Sequence, residues 1–518
     1  MLCSIAAADA SQEGQSHASA VLQEELKRIA GSRIPIVRID RASPEGALIL
    51  VGTSEDSELV RSLLARAGEQ LNRRGQIADL AGRTNGDQGF AIRFARAGER
   101  RYAVITGNSP RGVFYGVQTF CDRVYKSGNG TFVVDGRGEL AAPALEHRSF
   151  FGFPGSSCYV TGRLFEETFG RRDGSIDAEA FVRWVARYRV NNLLLGTLDL
   201  NFGVGWRSRR LSKLVNPHHT NVRREFLHEL IQHAHRNHIN VYLYAEFPDR
   251  YLGILHHRPE LAWANGPDLT RNNLSQRWWR RFYQGHIRAD HSSGALADHQ
   301  GILDIDKPAT MRFWKACWRD LLRTYPEVDG VGVEICEHLE RHPRNSSFTD
   351  RMWDYVKAMT DVAEHVRPGL DFFAYDSRGT PAIAARRREL PNLTYIRWGH
   401  YASREPVARI RGTRPDWYLS HGYYDNDYEP WLRRHCLACM QLGYRGIQKR
   451  LARYDECDRA YFALSQFGWS PKMTWREFAE RYVLRTHRIR APGRARAYAE
   501  DLRKRSTRAA ADARRRNS

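Results

Sequence analysis

Short apolar runs of strand length recur between residues 192 and 449, and most of the intervals between them show helical spacing. Almost every one of the eight runs ends in a carboxylate, a histidine or a lysine. They are Asn192–Thr197, Val241–Phe247, Gly301–Asp306, Gly330–Cys336, Asp371–Asp376, Leu393–His400, Asp416–His421 and Arg445–Lys449. Buried parallel strands read as near-continuous apolar runs and need crossover segments. The pattern predicts an α/β fold with a (β/α)8 TIM-type barrel, whose chemistry lies at the C-terminal strand ends.

Residues 1–145 show a mixed pattern that predicts a small α/β accessory domain. Helical spacing covers 18–29, 55–71 and 113–124, and strand-like runs cover 47–52, 89–94, 101–106 and 131–134. Gly107 and Gly112 lack the lysine and the spacing of a phosphate-binding loop, so we interpret them as turn glycines before a helix. The proline-containing link 141–144 places the barrel domain at 146–485, and a basic Arg/Ala-rich tail occupies 486–518.

Charge is unevenly spread along the 518 residues, whose net charge is +21. Residues 481–518 hold 13 Lys and Arg against 3 Asp and Glu, which predicts a solvated helix or a disordered end. Nucleic acid is not an expected partner, because no binding motif accompanies the charge and arginine is abundant throughout the chain. No apolar run approaches the about 20 residues of a membrane span, so no membrane contact is expected either. The compartment is left open between cytoplasm and secretion, since the first ten residues lack a basic segment.

Metal and cofactor chemistry finds little support in the sequence. The eight cysteines are scattered, and Cys436 and Cys439 form a single C-x-x-C within a helical stretch, which we interpret as buried thiols and not as a zinc site. Asp304 and Asp306, with His291 or His299 upstream, offer oxygen and nitrogen ligands for an ion, but no H-x-H motif follows the first run. We therefore expect neither a metal nor a cofactor.

Four segments together resemble the α-glucuronidases of glycoside hydrolase family 67 and their relatives. They are ILVGTSED with GFAIRF…YAVITGNSPRGVFYGVQTF, YPEVDGVGVEICEHLE, NLTYIRWGHYASREPV and YFALSQFGWSPKMTWREF. The first is similar to an accessory domain that also precedes the barrel of β-N-acetylhexosaminidases. The resemblance covers roughly residues 20 to 485 and implies a sugar-cleaving barrel. Glu334 departs from it, because the family usually has a lysine or another residue at that position.

Glycoside hydrolysis needs two carboxyl groups that flank the scissile bond, one of them protonated. Glu334 and Glu337 lie at the tip of the fourth strand, where mutual repulsion favours a retained proton. We interpret Glu337 as the general acid and Glu334 as a sugar ligand or a modulator of its pKa; alternatively, Glu334 pairs with an arginine. The resemblance favours Glu405 as the base, with Asp376 as the second carboxylate of that pair. Alternatively, Asp376 caps the following segment and Glu405 is a surface charge.

Further polar residues at the strand ends are candidates for binding the substrate. Asp199 and Glu246 are placed to bind hydroxyl groups, and Lys449 and Arg397 to clamp a uronate carboxylate. His400 and His421 are donors to a sugar or, equally, structural hydrogen-bonding residues.

These features favour a glycoside hydrolase acting on a plant or microbial polysaccharide or its oligosaccharides, most of all an α-glucuronidase-like enzyme of xylan catabolism. An exo-β-N-acetylhexosaminidase is the first alternative, although that class carries an adjacent Asp-Glu pair where this chain has Cys336-Glu337. A non-catalytic carbohydrate-binding barrel is the second. The expected partners are an oligosaccharide or polysaccharide, acidic glycans included, and a second copy of the chain in a homodimer.

Overall fold

The computed structural model describes two sheets and the helices that cover them. The described residues are 3–7, 13–31, 33–37, 46–151, 177–196, 224–247, 259–261, 307–335, 346–376, 386, 389–390, 393–398, 417–420, 428–450 and 454–517. The α/β class predicted from the sequence is confirmed.

The first sheet has five strands in the order β1-β2-β4-β3-β7. They are β1 (Cys3–Ala7), β2 (Ala47–Val51), β3 (Phe90–Ala97), β4 (Arg100–Gly107) and β7 (Glu139–Ala141); β5 (Val124–Lys126) and β6 (Phe132–Val134) pair as a separate ribbon. The helices of this region are α1 (Glu13–Ala30), α2 (Glu58–Arg66), α3 (Ala78–Ala81) and α4 (Pro110–Asp122), with a 3-10 turn at Gly86–Gln88. Strands β1, β2 and β4 run parallel, whereas β3 is antiparallel to β4 and β7.

Helix α4 shows why the local sequence folds as it does. Ser109 caps it by accepting a hydrogen bond from the Gly112 backbone N–H at 3.1 Å, and Pro110 opens the first turn. A Cβ at Gly112 would lie 2.1 Å from the Gly89 carbonyl oxygen, so a close backbone approach requires glycine there. This agrees with the interpretation of Gly112 as a structural glycine.

The second sheet is a closed barrel of eight strands, each parallel to its two neighbours. The strands are β8 (His147–Phe151), β9 (Asn192–Gly196), β10 (Asn240–Phe247), β11 (Gly330–Ile335), β12 (Asp371–Asp376), β13 (Leu393–Trp398), β14 (Trp417–Ser420) and β15 (Gly446–Arg450). The described helices around it are α5 (Ala178–Ala186), α6 (Arg224–Arg236), α7 (Pro308–Thr324), α8 (Ser346–Val366), α9 (Tyr428–Leu442) and α10 (Tyr454–Trp469), with a 3-10 turn at Pro259–Leu261.

Seven of the eight predicted runs correspond to strands of this barrel. Strand β10 pairs directly with β11, and the run predicted between them, Gly301–Asp306, lies outside the described residues. The remaining strand is β8, which closes the ring against β15 and β9. Its sequence HRSFF lacks a continuous apolar run, which is why hydrophobic periodicity missed it. Because β8 precedes the first predicted run and β10 pairs directly with β11, β11 is still the fourth strand.

Two buried arginines join the first sheet to the barrel. Arg148 in β8 donates to Gln88 Oε1 at 2.9 Å and to the carbonyl oxygens of Leu145 and Arg189 at 2.7 and 3.0 Å. The Arg189 guanidinium donates to Ser465, and both guanidinium groups lie over the Trp469 ring, at 5.4 and 4.9 Å from its centroid. Burial lowers the pKa of each arginine to about 10, so both remain cationic at neutral pH.

The C-terminal segment forms two further helices, α11 (Trp475–His487) and α12 (Pro492–Asn517). A capping box between Thr474 and Glu477 starts α11. The first half of α12 packs on the molecule, because Ala499 and Leu502 are 3% and 0% exposed. The segment that composition assigns to a solvated tail is therefore partly core. Within the described residues, no helix combines the length and the apolar character needed to cross a bilayer.

Candidate active site at the C-terminal ends of the barrel strands

Side chains along the barrel strands alternate between an inner and an outer row. The inner row includes an inner cluster, made of Leu194, Tyr242, Phe373, Ile396 and Trp417. The outer row packs against the helices, as where the Phe150 ring stacks on Tyr461 of α10 with centroids 4.8 Å apart. A residue's row therefore tells whether its position faces the interior of the barrel or the surrounding helices.

Two predicted site residues stand side by side on adjacent strands. Glu246 near the end of β10 is the Cα partner of Glu334 near the end of β11. Partner positions on neighbouring strands lie about 4.8 Å apart. Both belong to the inner row: Glu246 follows Tyr242 at an even spacing, and a Cβ at Gly332 would lie 2.5 Å from the inner-cluster ring of Phe373. The fold thus puts two glutamate positions next to each other where the third and fourth strands end.

Asp376 and Arg397 occupy a different set of positions. Asp376 ends β12 and is the Cα partner of Arg397 in β13 and of Ile335 in β11. It falls in the same row as Phe372 and Ala374, which belong to the core between the barrel and its helices. Asp376 and Arg397 are thus neighbours at the C-terminal ends, two and three strands, respectively, from the strand that carries Glu246, and their roles stay predictions.

Lys449 lies in the last barrel strand and is 2% exposed. It shares its row with Ile447, which packs in the outer core, whereas its neighbour Gln448 is in the inner row. The sequence pattern singled out the charge at the strand end and missed Gln448. Counting every second residue from Gly446 along the strand would have placed Gln448 on the inner face.

The other predicted site residues lie outside the described part of the chain. This applies to Glu337, Glu405, Asp199, His400 and His421. Chain connectivity alone places Glu337 two residues after the end of β11, and so two residues from the C-terminal end of the fourth strand.

The inner cluster closes the barrel below these positions. The Tyr242 hydroxyl donates to Asp371 Oδ2 at 3.2 Å, and the His147 ring packs against Trp417 at a tilt of 35°, with centroids 4.6 Å apart. Burial and the nearby Asp371 carboxylate raise the pKa of Tyr242, so its hydroxyl stays protonated. At the opposite, N-terminal end, hydrogen bonds from His147 and Arg445 lower the pKa of Glu146. These ionic contacts stabilise the closed end of the barrel and lie away from the candidate site.

Metal ligands do not cluster in the described ranges, where no group of three His, Cys, Asp or Glu side chains could hold an ion. Cys436 and Cys439 are fully buried, and burial raises the pKa of both thiols. The prediction of buried thiols is confirmed, and at neutral pH they are protonated and unreactive.

Comparison with known proteins shows a shared architecture. No family model and no curated protein matches the chain, whereas 422 chains of solved structures do. A GH20 β-N-acetylhexosaminidase from Streptomyces coelicolor A3(2) superposes with a TM-score of 0.57 at 15% identity, over 95% of this chain and 92% of that one. The Streptomyces plicatus N-acetyl-β-hexosaminidase in complex with Thio-NAglucal gives 0.56 at 14% identity, over 95% and 91%.

A third similar structure is a GH138 enzyme targeting pectin rhamnogalacturonan II, with a TM-score of 0.54 at 13% identity over 92% of this chain. This chain spans only about half, 52%, of that enzyme's length. At such identities the likeness shows the fold alone, and family 67 specifically is not shown. The chain has the barrel fold of glycoside hydrolases.

Proposed function

We propose that the protein is a glycoside hydrolase that cleaves its substrate with two carboxyl groups at the C-terminal ends of the barrel strands. The observation that carries the proposal is the pairing of Glu246 and Glu334 at inner-row positions where the third and fourth strands end. Parallel barrels place their reacting groups at this end. The shared fold with GH20 and GH138 enzymes supports the same reaction class.

Glu337 is the proposed general acid, and it follows Glu334 by three residues. Neighbouring carboxylates disfavour a further negative charge, so Glu334 and Glu246 would raise the pKa of the acid toward neutral. Glu405 is the proposed base or nucleophile, and Asp376 is the proposed second carboxylate of that pair. Carboxyl groups about 5 Å apart give retention and those about 6.5–9.5 Å apart give inversion, and the family 67 resemblance favours inversion. Proton NMR of the first anomer released decides between them.

Two substrates are supported by different observations. The sequence resemblance favours an α-linked glucuronic acid, as in xylan-derived oligosaccharides, with Lys449 and Arg397 as candidate carboxylate ligands. The structural likeness to GH20 enzymes favours an N-acetylhexosaminide equally well. Cys336 occupies the position before Glu337 where the hexosaminidase class has an aspartate, which weighs against that second reading.

A substrate screen tests the proposal directly. Purified protein is incubated with aryl α- and β-glycosides, aryl N-acetylhexosaminides and aldouronic oligosaccharides, with Glu337→Ala as the blank. We expect release of a sugar by the wild type and a loss of at least about 100-fold in the variant. Binding of a glycan without hydrolysis would instead support the non-catalytic barrel.

The role of Glu337 is tested by the pH dependence of turnover. Glu337→Gln removes the group whose ionisation sets the alkaline limb of kcat/KM, so this limb should disappear together with most of the activity. Glu340→Gln, three residues further on, is the matched control and should retain the wild-type profile. Retained activity with an unchanged alkaline limb in Glu337→Gln would reject the assignment.

A further inference from the structure

The register of the barrel strands shows which inner-row positions lie at the same height. From β8 to β12, successive Cα partners are Phe151, Leu194, Tyr242, Gly330 and Asp371. From β12 back to β8, they are Tyr375, Ile396, Trp417, Gly446 and His147. Tyr375 follows Asp371 by four residues and His147 precedes Phe151 by four, so one circuit of the ring shifts the register by eight residues. This is the shear of a (β/α)8 barrel, and it corresponds to one residue per strand.

Correcting the partner positions by one residue per strand sorts the inner row into layers of four residues from alternate strands. One layer contains Ser149, Tyr242, Phe373 and Trp417, and the next one toward the C-terminal ends contains Leu194, Gly332, Ile396 and Gln448. All eight residues are buried, and the five residues of the inner cluster come from these two layers. The packing therefore agrees with the layers derived from the register, and these two layers form the closed part of the barrel.

The layer that contains Glu334 lies two layers further toward the C-terminal ends. The Cα partners of Glu334 lead to Gly446 on β15, four strands away, so the residue at the height of Glu334 is four residues further, Arg450. Strands β11 and β15 are opposite each other in the ring of eight. Arg450 ends β15 and follows Gln448 at the even spacing of one row. The fold therefore places Glu334 and Arg450 on opposite walls at one height, beyond the closed part of the barrel.

The basic residues that the sequence favoured occupy the other row. Lys449 shares the outer row with Ile447, and Arg397 shares it with Tyr395, both of which pack in the outer core. Arg450 is the one lysine or arginine in the inner row of the described barrel strands. Within these strands, it is therefore the cation that can balance the acidic positions of the candidate site.

The wall opposite Arg450 carries an excess of negative charge. The titratable inner-row neighbours of Glu334 are Glu246 on β10 and Tyr375 on β12, and each is its Cα partner. Two carboxylates so close together disfavour each other's ionised form. The interior of an eight-stranded barrel is just wide enough for side chains to fill it, so a cation in the layer of Glu334 is close enough to reverse this effect.

We propose that Arg450 is a positioning residue that holds Glu334 ionised across the barrel and so leaves the catalytic proton to Glu337. An arginine keeps its charge at every pH at which proteins are stable, and its guanidinium matches a carboxylate in shape. A Glu334 that stays ionised disfavours a negative charge on Glu337, three residues further on. The catalytic part of this inference rests on the proposed glycosidase function, whereas the coupling of Arg450 to Glu334 is independent of it.

The first test needs no substrate and measures the coupling of the two residues. Melting temperatures are compared for wild type, Arg450→Met, Glu334→Gln and the double variant. Arg450→Met should melt lower than wild type, because its glutamates lose their cation, and adding Glu334→Gln should recover most of the loss. Lys449→Met, one residue earlier and in the outer row, is the matched control, and its effect should simply add to that of Glu334→Gln.

Additive effects of Arg450→Met and Glu334→Gln would overturn the proposal. If Arg450→Met alone does not fold, the same criterion applies to the double variant. It should fold if the loss of Arg450 acts through Glu334, and a double variant that also fails to fold would contradict that coupling.

The pH dependence of melting separates an ionic role of Arg450 from a structural one. Without Arg450, the glutamate pair binds a proton more readily in the folded chain than in the unfolded chain. Relative to wild type, the melting temperature of Arg450→Met should therefore rise as the pH falls from about 7.5 to about 5. Glu334→Gln in the same protein should remove most of this rise, because Glu246 then has no charged partner on β11. A difference between wild type and Arg450→Met that is equal at both pH values would refute the ionic role.

The catalytic consequence is tested with the glycoside that the wild type hydrolyses best. Arg450→Gln should lower kcat/KM by at least about 10-fold and move the acid limb of its pH profile to higher pH, because carboxylates without their cation protonate earlier. Arg450→Lys should restore much of the activity and the position of the limb. An unchanged profile in Arg450→Gln, with hydrolysis intact, overturns this inference and leaves the glycosidase function standing. If the wild type hydrolyses nothing, the function fails, and the melting experiments still decide whether Arg450 and Glu334 are coupled.

Discussion

The first part of the C-terminal helix α12 supplies partners for a buried carboxylate, so deleting the whole helix and deleting only its end should have different consequences. Glu429, the second residue of α9, is a carboxylate with 0% exposure, and its partners come largely from α12. The Tyr498 hydroxyl donates to it at 2.6 Å and the Arg505 guanidinium at 3.0 Å. Arg459 of α10 makes an ion pair with it at 3.0 Å, without hydrogen-bond geometry. Deleting residues 492–518 should destabilise the barrel, and deleting 509–518 should not.

The expected loss follows from these contacts. Each hydrogen bond to a charged group contributes about 1.5–3 kcal/mol, and the longer deletion removes both. Burial of Leu502, which is 0% exposed, contributes about 2 kcal/mol more. The longer deletion should therefore cost at least about 5 kcal/mol. Breaking a buried ion pair alone typically costs about 3–5 kcal/mol, to which the lost burial of Leu502 adds. Of the three partners of Glu429 named above, the longer deletion removes Tyr498 and Arg505 and leaves Arg459.

Differential scanning fluorimetry of the two deletions and of two point variants measures the effect. Arg505→Met removes one partner of Glu429 from a side chain that is 12% exposed, whereas Arg508→Met changes an exposed position. We expect a clear fall in melting temperature for Arg505→Met and none for Arg508→Met. Melting temperatures are compared because a chain with two sheets need not unfold in two states. Equal melting temperatures for the two point variants, or a stable 492–518 deletion, would refute the reasoning.

Two further outcomes follow from other parts of the molecule. Burial lowers the pKa of His238 from 6.5 to about 4, so the unfolded chain binds more protons between these values, and the free energy of unfolding should fall by up to about 3 kcal/mol as the pH drops through that window. His238→Asn tolerates the positive φ of 58° and should flatten the dependence of the melting temperature on pH. An equal pH dependence in both proteins would contradict this. Gly332→Ala should lower the melting temperature, because its Cβ would lie 2.5 Å from the Phe373 ring. Gly128→Ala is the control, since its Cβ would have no atom within 4 Å. Equal melting temperatures of the two variants would show that the Phe373 ring moves aside without loss of stability.

Hydrophobic periodicity predicted seven of the eight barrel strands, because strands buried on both faces must be apolar along their length. It failed at β8, where Arg148 is buried but bonded to three carbonyl oxygens and to Gln88, so a charge stands where an apolar residue was expected. Such a charge is tolerated because its hydrogen bonds replace water, and partners 41 and 60 residues away are invisible to a local pattern.

The same limit applies to the C-terminal tail. Composition alone predicted a solvated end, since arginine dominates residues 481–518. The buried carboxylate that binds Arg505 lies 76 residues earlier in the chain, and no spacing rule connects the two. The candidate site shows an intermediate case: the sequence identified Glu246 and Glu334 separately, but only the register of β10 on β11 makes them neighbours.

That register bears on how a barrel of this kind would obtain a protonated acid near neutral pH. Two inner-row glutamate positions about 4.8 Å apart hold two negative charges only at a considerable electrostatic cost. A third carboxyl group at Glu337, just beyond the same strand, would therefore keep its proton more readily than an isolated glutamate.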